Sequence, residues 1–529
     1  MKKNLGNVIS GSLNDGFLIR INSEINTQEI KTGKFVSIHS NDYKFFSLIT
    51  DLKLEVNNPE ILLFPPSQNE KLLMEILRKK NMYATALLKP MVMVDKHNNV
   101  LPVKTIPSHF CQVFEVDDKD VALIFGDEKE HKKYFNVGHP IDMTTPVCLD
   151  LEKLVERSNG IFGKTGTGKT FLTRLVLAGT IKNEKAVNLV FDMHGEYGLQ
   201  ARKEGNNQAF VKGLKTLFPD KIVIFSLDPE STRRRGGMPD VEINLSYQDV
   251  NVEDILSLQM ELNLHSTAIE SAYLISAKYK KEWLSVLLSR GEDIKEFANE
   301  IGANIESLAA LYRKLKRIER LNFFTPEKAK YSIIDQMMEY ISKGKNIIVE
   351  FGNYNSSFVY LLIANIITRR IHNEYISKTE RFLGSGKKED EPQKLLITIE
   401  EAHKFLNSSA AQQTIFGTIA REMRKYYVSL LVVDQRPSGI DPEIISQIGT
   451  KIIAQLNDDK DIQAVLSGTN ANNFKPILAS LDSKKQVLLV GHAVAMPVVI
   501  ETREYNEEFY KAMNDYIKKT SKEIIQEIF

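Results

Sequence analysis

Between Gly163 and Thr170 the chain reads GKTGTGKT, which satisfies the spacing G-x-x-x-x-G-K-S/T. Residues with small or absent side chains let successive backbone N–H groups curl around phosphate oxygens. The flanks fit that use. Asn159–Phe162 ("NGIF") is a short apolar strand entering the turn, and Phe171, Leu172, Leu175 and Val176 follow it at helical spacing. Strand, loop, helix is the setting a phosphate-binding loop requires. The spacing therefore predicts a nucleotide cradle of Gly163, Lys164, Thr165, Gly166, Thr167, Gly168, Lys169 and Thr170, with Phe171 just inside the helix. In such a cradle Lys169 reaches the β/γ-phosphates and the Thr170 hydroxyl ligates Mg²⁺, so ATP and Mg²⁺ are the expected cofactors.

A second half of the site is expected in "LLITIEEAH". The apolar strand Leu395–Ile399 delivers two adjacent carboxylates, Glu400 and Glu401, at its carboxyl end. Ligands bind at that edge of open α/β sheets. One carboxylate can hold Mg²⁺ while its neighbour polarises the attacking water, a division that suits hydrolysis. Adjacent acids also mark the first turn of a helix, where they favour the dipole. The strand before them and the phosphate loop upstream weigh against that plainer meaning. Farther on, "VSLLVVDQ" is a strand ending at Gln435, placed to sense the γ-phosphate or orient water. Arg421 and Arg424 lie three residues apart on the preceding helix and share a face. An arginine delivered into a neighbour's site is worth about 10³–10⁵ in rate; the plainer meaning for either is a solvated helix charge.

At 529 residues the chain exceeds the roughly 250–300 at which single cores stop growing. Its 43% hydrophobic and 26% charged content is ordinary for a soluble protein. The formal net charge of +1 gives no global basic field, so any nucleic-acid surface must be local, such as a channel lining. Two cysteines, Cys111 and Cys148, are too few for a disulfide framework or a zinc site and point to a reducing cytoplasm. The start, "MKKNLGNVISGSLNDG", lacks a signal peptide's apolar core. No apolar run approaches the roughly 20 residues that span a bilayer. A cytoplasmic protein with no membrane partner is expected. "VLLVGHAVAMPVVI" comes closest, but Gly491, His492 and Pro497 break it into what reads as two buried strands.

Residues 1–150 read as β-rich. "GFLIRIN", "KFVSIHS", "FFSLITDLKLEV" and "DVALIF" are short segments between turn residues, which suggests a small barrel or sandwich. Residues 151–249 alternate strands and helices, the rhythm of a parallel sheet with crossover helices. Residues 250–345 turn helical, with apolar residues at three- and four-residue steps in "VEDILSLQMEL", "AIESAYLISAKYKKEWLSVLL" and "IESLAALYRKLKRIERL". They read as an all-α insertion. The sheet resumes over 346–505, and 506–529 form a charged, amphipathic helical tail.

The set "GIFGKTGTGKTF", "VFDMHGEY", "LLITIEEAHKFL" and "AREMRKYYVSLLVVDQRPSGIDPEIISQIGTKI" resembles the HerA branch of the HerA–FtsK ATPases. The "GNVISGS…TGKFVSIHS" start is similar to that family's barrel, so the resemblance spans nearly the whole chain in the expected order. It implies an α/β fold: a RecA-like P-loop ATPase core with an N-terminal β-barrel domain and an all-α insertion. It also implies a homo-hexameric, ATP-driven translocase or helicase that handles double-stranded DNA in a central channel, independent of sequence. Such motors usually work with a separate nuclease or effector subunit. Carried over by position, Lys169 and Thr170 are the phosphate and Mg²⁺ residues, Glu400 the metal-side acid, Glu401 the catalytic acid and Gln435 the sensor-like glutamine. Asp192 and Glu196 match a further polar element beside the phosphate loop. Arg424 occupies the arginine of the usual G-R-K-Y/F-G segment, the trans-acting finger position. Here the segment reads "MRKYY", so Met423 and Tyr427 replace both glycines and alter the backbone that aims the arginine. Arg421 is the reserve.

Other residues have plainer readings. His403 follows the two acids, where a lone histidine is more often a packing residue or one that supports a neighbouring site residue from behind. Trp283, the only tryptophan, sits in an amphipathic helix and suits a core. Arg313, Lys314, Lys316, Arg317 and Arg320 face either DNA or solvent. Besides a DNA motor, the chain is compatible with an ATP-binding ring that scaffolds or regulates a partner enzyme, as in antiphage assemblies. A nuclease is disfavoured, since neither Pro219-Asp220 nor Pro239-Asp240 is followed closely by E-x-K.

Overall fold

The structure is a computed structural model that describes residues 3–63, 77, 81–203, 206–327, 332–412, 414–422, 425–468, 474–482 and 485–513. The chain divides into two compact units: residues 1–151 with 450–504, and residues 152–449 with the segment from Tyr505.

The first unit begins with β1 (Asn4–Ser12), β2 (Gly16–Ile21), β3 (Phe35–His39), β4 (Tyr43–Val56), β5 (Met82–Asp95), β6 (Val100–Pro102) and β7 (Gln112–Glu115). They run in the order β2-β1-β7-β3-β4-β5, and a β2–β5 pairing closes the ring, with β6 added to β5. The choice between barrel and sandwich is thus settled as a barrel. Inward residues such as Val8, Phe17, Ile19, Val36, Ile38, Phe45, Leu88 and Val113 fill it. Closure explains Gly16: its φ is 97°, and a Cβ there would sit 2.6 Å from the Leu88 carbonyl oxygen on β5.

"DVALIF" corrects the sequence reading. It is the end of a helix, Asp118–Phe125, and not a strand. Asp117 caps it, its carboxylate accepting the Asp120 N–H at 2.9 Å. Val121, Ile124 and Phe125 are buried at helical spacing, which a short apolar run cannot reveal by itself. β8 (Tyr134–Pro140) and β9 (Val147–Asp150) then pair antiparallel outside the barrel.

The second unit is built on β10 (Asn159–Phe162), β11 (Val187–Asp192), β14 (Ile222–Ser226), β18 (Asn346–Glu350), β19 (Leu395–Glu400) and β20 (Val428–Asp434). Between them fall a hairpin, β12 (Ala201–Lys203) with β13 (Asn206–Val211), and the short β15 (Val241–Glu242), β16 (Leu245–Ser246) and β17 (Phe324–Thr325). The six main strands are parallel in the order β14-β18-β11-β19-β20-β10. Most are buried end to end, as parallel strands covered on both faces must be. β20 lies between β10, which enters the Gly163–Thr170 turn, and the acid-bearing β19, and the order of the candidate site groups follows from this.

The helical segment includes Val252–Leu256, Ser266–Tyr279, Trp283–Ser289, Ile294–Ile301 and Ile305–Leu315. Trp283 is fully buried, and its indole N–H donates to the Val250 carbonyl at 2.7 Å. Arg369, on the long helix Ser357–Ser385, grips the buried Asp254 carboxylate with two hydrogen bonds of 2.9 and 2.7 Å. In the first unit β21 (Thr450–Ile453), β22 (Gln486–Gly491) and β23 (Val498–Thr502) join β8 and β9 in antiparallel pairing. β22 and β23 are the two strands expected of "VLLVGHAVAMPVVI". Among the described residues no helix is long and apolar enough to cross a membrane.

Candidate nucleotide-hydrolysis site

The turn after β10 needs glycine where its backbone is left-handed. Gly166 has φ 78° and Gly168 φ 80°, and no atom outside the turn lies within 4 Å of a Cβ built at Gly166. Gly168 is the N-cap of the helix Lys169–Lys182 and gives it no side-chain cap. The helix therefore presents open N–H groups and its positive dipole end, a ready anion site. Lys169 Nζ donates to the Lys164 carbonyl at 3.0 Å, across the mouth of its own loop. Thr170 Oγ1 donates to Glu196 Oε2 at 2.8 Å.

Glu196 reaches Thr170 because Asp192, at the end of β11, folds the next residues back. Its buried carboxylate accepts the N–H groups of Glu196, Tyr197 and Gly198 at 2.8, 2.8 and 3.2 Å. Burial still pushes the Asp192 carboxyl above its ordinary range. Arg174, one helical turn after Thr170, donates through Nε to the Glu196 carbonyl at 2.8 Å.

The two acids that are adjacent in sequence occupy different environments. Glu400 is buried, and Oε1 accepts the Tyr197 hydroxyl at 2.6 Å. Its backbone N–H donates to the Tyr360 hydroxyl at 2.9 Å. Burial pushes its carboxyl up to about 8; Asp192, Glu196 and Glu401 add repulsion, while the Tyr197 hydroxyl acts the other way. Oε2 is buried with no hydrogen-bond partner. Glu401 is 29% exposed and has φ 50°, a left-handed conformation that costs a non-glycine residue energy. Its Oε1 accepts from Gln435 Nε2 at 3.3 Å, and Gln435 Oε1 accepts from Thr165 Oγ1 at 2.6 Å.

The unpartnered Glu400 oxygen and the Thr170 and Glu196 side-chain oxygens are the kind of hard oxygen donor that suits Mg²⁺, and Glu196 is close enough to Glu400 to repel its charge. Among the described residues no three acids, histidines or cysteines converge into an all-protein metal cage. Nucleotide sites do not require one, because the phosphates supply the remaining ligands.

Three contacts were not evident from the motifs. Tyr197 and Tyr360 grip Glu400 from segments far away in sequence, and His403 contacts Asp434. Arg421 is on the helix Ile415–Glu422 and donates to the Ala411 carbonyl at 2.8 Å. Arg424 lies outside the described residues. Arg313, Lys314, Lys316, Arg317 and Arg320 are exposed, opposite the buried Leu311, Leu315 and Ile318. The Asp240 carboxylate accepts the Ile224 N–H at 2.7 Å and pairs with Lys215 at 3.0 Å, a sheet-edge tie.

A protein-family model described as "Helicase HerA, central domain" matches residues 135–371. Over this span the chain is similar to the HerA-type ATPases. It is 26% identical to the DNA double-strand break repair helicase HerA of Pyrococcus furiosus over 68% of each chain. With the protein of that name from Sulfurisphaera tokodaii it shares 23% identity over 94% of each. Among solved structures it is similar to the bacterial conjugative coupling protein TrwBdeltaN70, with a TM-score of 0.47 and 11% identity, covering 74% of this chain and 92% of that one. The HerA-type match takes in the phosphate loop, Asp192 and Glu196; Glu400, Glu401 and Gln435 lie beyond residue 371.

Proposed function

We propose that this chain is a HerA-type ATPase and a DNA translocase or helicase motor that acts as a homo-hexamer. Its double-stranded DNA passes through a central channel without sequence preference. A separate nuclease or effector subunit acts on that DNA, in end processing or antiphage defence. One observation carries the catalytic part: Thr165, Gln435 and Glu401, at the ends of β10, β20 and β19, join in one hydrogen-bonded line beside the phosphate loop. Lys169 and the loop N–H groups bind the β/γ-phosphates. Thr170 and Glu400 would hold Mg²⁺, with Glu196 bonded to the Thr170 hydroxyl. When bound, the ion neutralises charge developing on the phosphate oxygens. Glu401 takes the proton of the attacking water, and Gln435 orients that water. Relatives named as DNA repair helicases support the DNA reading, as does the exposed basic face from Arg313 to Arg320. The domain assignment goes with it: residues 1–150 serve assembly and partner docking, 151–249 and 346–505 the motor, 250–345 the DNA-proximal insertion, and 506–529 a tail.

The test is phosphate release with and without DNA. Lys169→Ala lowers nucleotide affinity, because a positive charge leaves the β/γ-phosphates. Glu401→Gln keeps binding and loses turnover. Turnover in the wild type rises with duplex DNA of any sequence, and DNA affinity falls steeply with salt. Normal hydrolysis by Glu401→Gln removes the catalytic assignment. Hydrolysis indifferent to DNA turns the motor into a scaffolding ring.

A further inference from the structure

The line from Thr165 to Glu401 does not stop at Glu401. Asp434, the last residue of β20, is fully buried and accepts the backbone N–H groups of His403 at 2.6 Å and Arg436 at 2.7 Å. The same carboxylate lies 2.9 Å from His403 Nδ1, and this hydrogen bond to Asp434 raises the imidazole's pKa and favours the doubly protonated ring, in which Nδ1–H donates to Asp434 and Nε2 also carries a proton. This fixes the ring, and Nε2 then faces Glu401 Oε2 at 3.7 Å. The seat is tight, since a Cβ at Gly439 would lie 3.1 Å from His403 Cβ. Glu401 is consequently addressed on both oxygens, by the Gln435 amide on one side and by the imidazole on the other. The charged groups facing the ring are Asp434, Glu401 and the neighbouring Lys404.

We propose that His403 is a positioning residue for hydrolysis: braced by Asp434, it holds the Glu401 carboxylate in the orientation that polarises water. This rests on the reading of Glu401 as the water-polarising acid. A packing histidine would be enclosed by apolar groups, whereas this ring lies between two carboxylates and is 24% exposed. A carboxylate held through one oxygen alone can still turn about its side-chain bonds, and misplacement by about 1 Å costs about 10²-fold in rate.

The experiment uses the full chain with Mg-ATP and compares His403→Ala, His403→Gln and Glu401→Gln. His403→Ala should lose 10- to 100-fold in kcat, with KM and the affinity for a fluorescent ATP analogue within about threefold of wild type. His403→Gln, which keeps a side-chain donor, should retain more activity than His403→Ala. Added imidazole should restore turnover to His403→Ala and leave Glu401→Gln unchanged. A wild-type kcat in His403→Ala overturns the proposal. So does a loss confined to KM, or a folded His403→Ala that binds nucleotide and gains nothing from imidazole. If the alanine variant does not fold, a His403→Gln protein with wild-type kcat and raised KM overturns it equally. Full turnover by Glu401→Gln would instead defeat the underlying assignment of Glu401, so the two failures are distinct.

Discussion

Glu401, the water-polarising acid of the proposed hydrolysis, sits on a left-handed backbone. A left-handed non-glycine residue costs on the order of 1 kcal/mol, and such strain persists only where the surroundings impose it. Here they do: β19 ends one residue earlier, and the backbone N–H of His403 is tied to Asp434 at 2.6 Å. The strain reverses an ordinary ranking. In extended or helical backbone, alanine is more stabilising than glycine by about 0.5–1 kcal/mol. At this position Glu401→Gly should be more stable than Glu401→Ala by about 1 kcal/mol, with both variants inactive. Thermal unfolding of the two side by side measures it, and a less stable glycine variant would mean that the φ of 50° is not imposed by the fold.

Among the elements, the helical segment is held to the long helix Ser357–Ser385 by charge as well as by apolar packing. Arg369 bonds Asp254 through two nitrogens, and Arg370 pairs with Asp249 at 2.5 Å. Asp254 is 2% exposed, and burial pushes its carboxyl up even against Arg369. Removing one partner of such a pair leaves an uncompensated buried charge and typically costs about 3–5 kcal/mol, whereas replacing both by apolar residues can be neutral. Arg369→Leu should therefore loosen the Val252–Tyr279 region, read as faster amide exchange there. Asp254→Leu combined with Arg369→Leu should recover most of the protection. Equal loosening in the single and double variants would show that the pair contributes nothing beyond its hydrogen bonds. These contacts also mark where sequence reading ends. The phosphate loop was legible because its chemistry is local, a strand, a turn and a helix within some twenty residues. Tyr197 on Glu400 was not, because 203 residues separate them and only the sheet order brings them together. His403 was not either: its meaning depends on β20 lying between β10 and β19, which no local pattern encodes. The misread Asp118–Phe125 is a milder case, in which an apolar run suited both periods and the cap at Asp117 decided.

For the whole molecule, the proposed ring places the completion of each site at a subunit boundary. Arg421 spends its guanidinium within its own chain, on the Ala411 carbonyl at 2.8 Å and near Glu443 at 3.7 Å. That favours Arg424 as the arginine supplied to a neighbour. An Arg424→Ala protein should bind ATP through its own Gly163–Thr170 loop yet hydrolyse it about 10³-fold more slowly. Lys169→Ala should fail for the opposite reason, offering a sound arginine and a defective loop. Mixed rings distinguish the two geometries. Where a Lys169→Ala subunit presents its arginine to the intact loop of an Arg424→Ala subunit, one working interface is rebuilt, and phosphate release should exceed that of either variant alone. An arginine serving its own loop gives no rescue, because every subunit in the mixture is then defective. Exchange of subunits is verified by co-elution of differently tagged chains. Demonstrated mixing without recovery would remove the trans role from Arg424 and return it to Arg421, whose ties to Ala411 and Glu443 would then have to break on assembly.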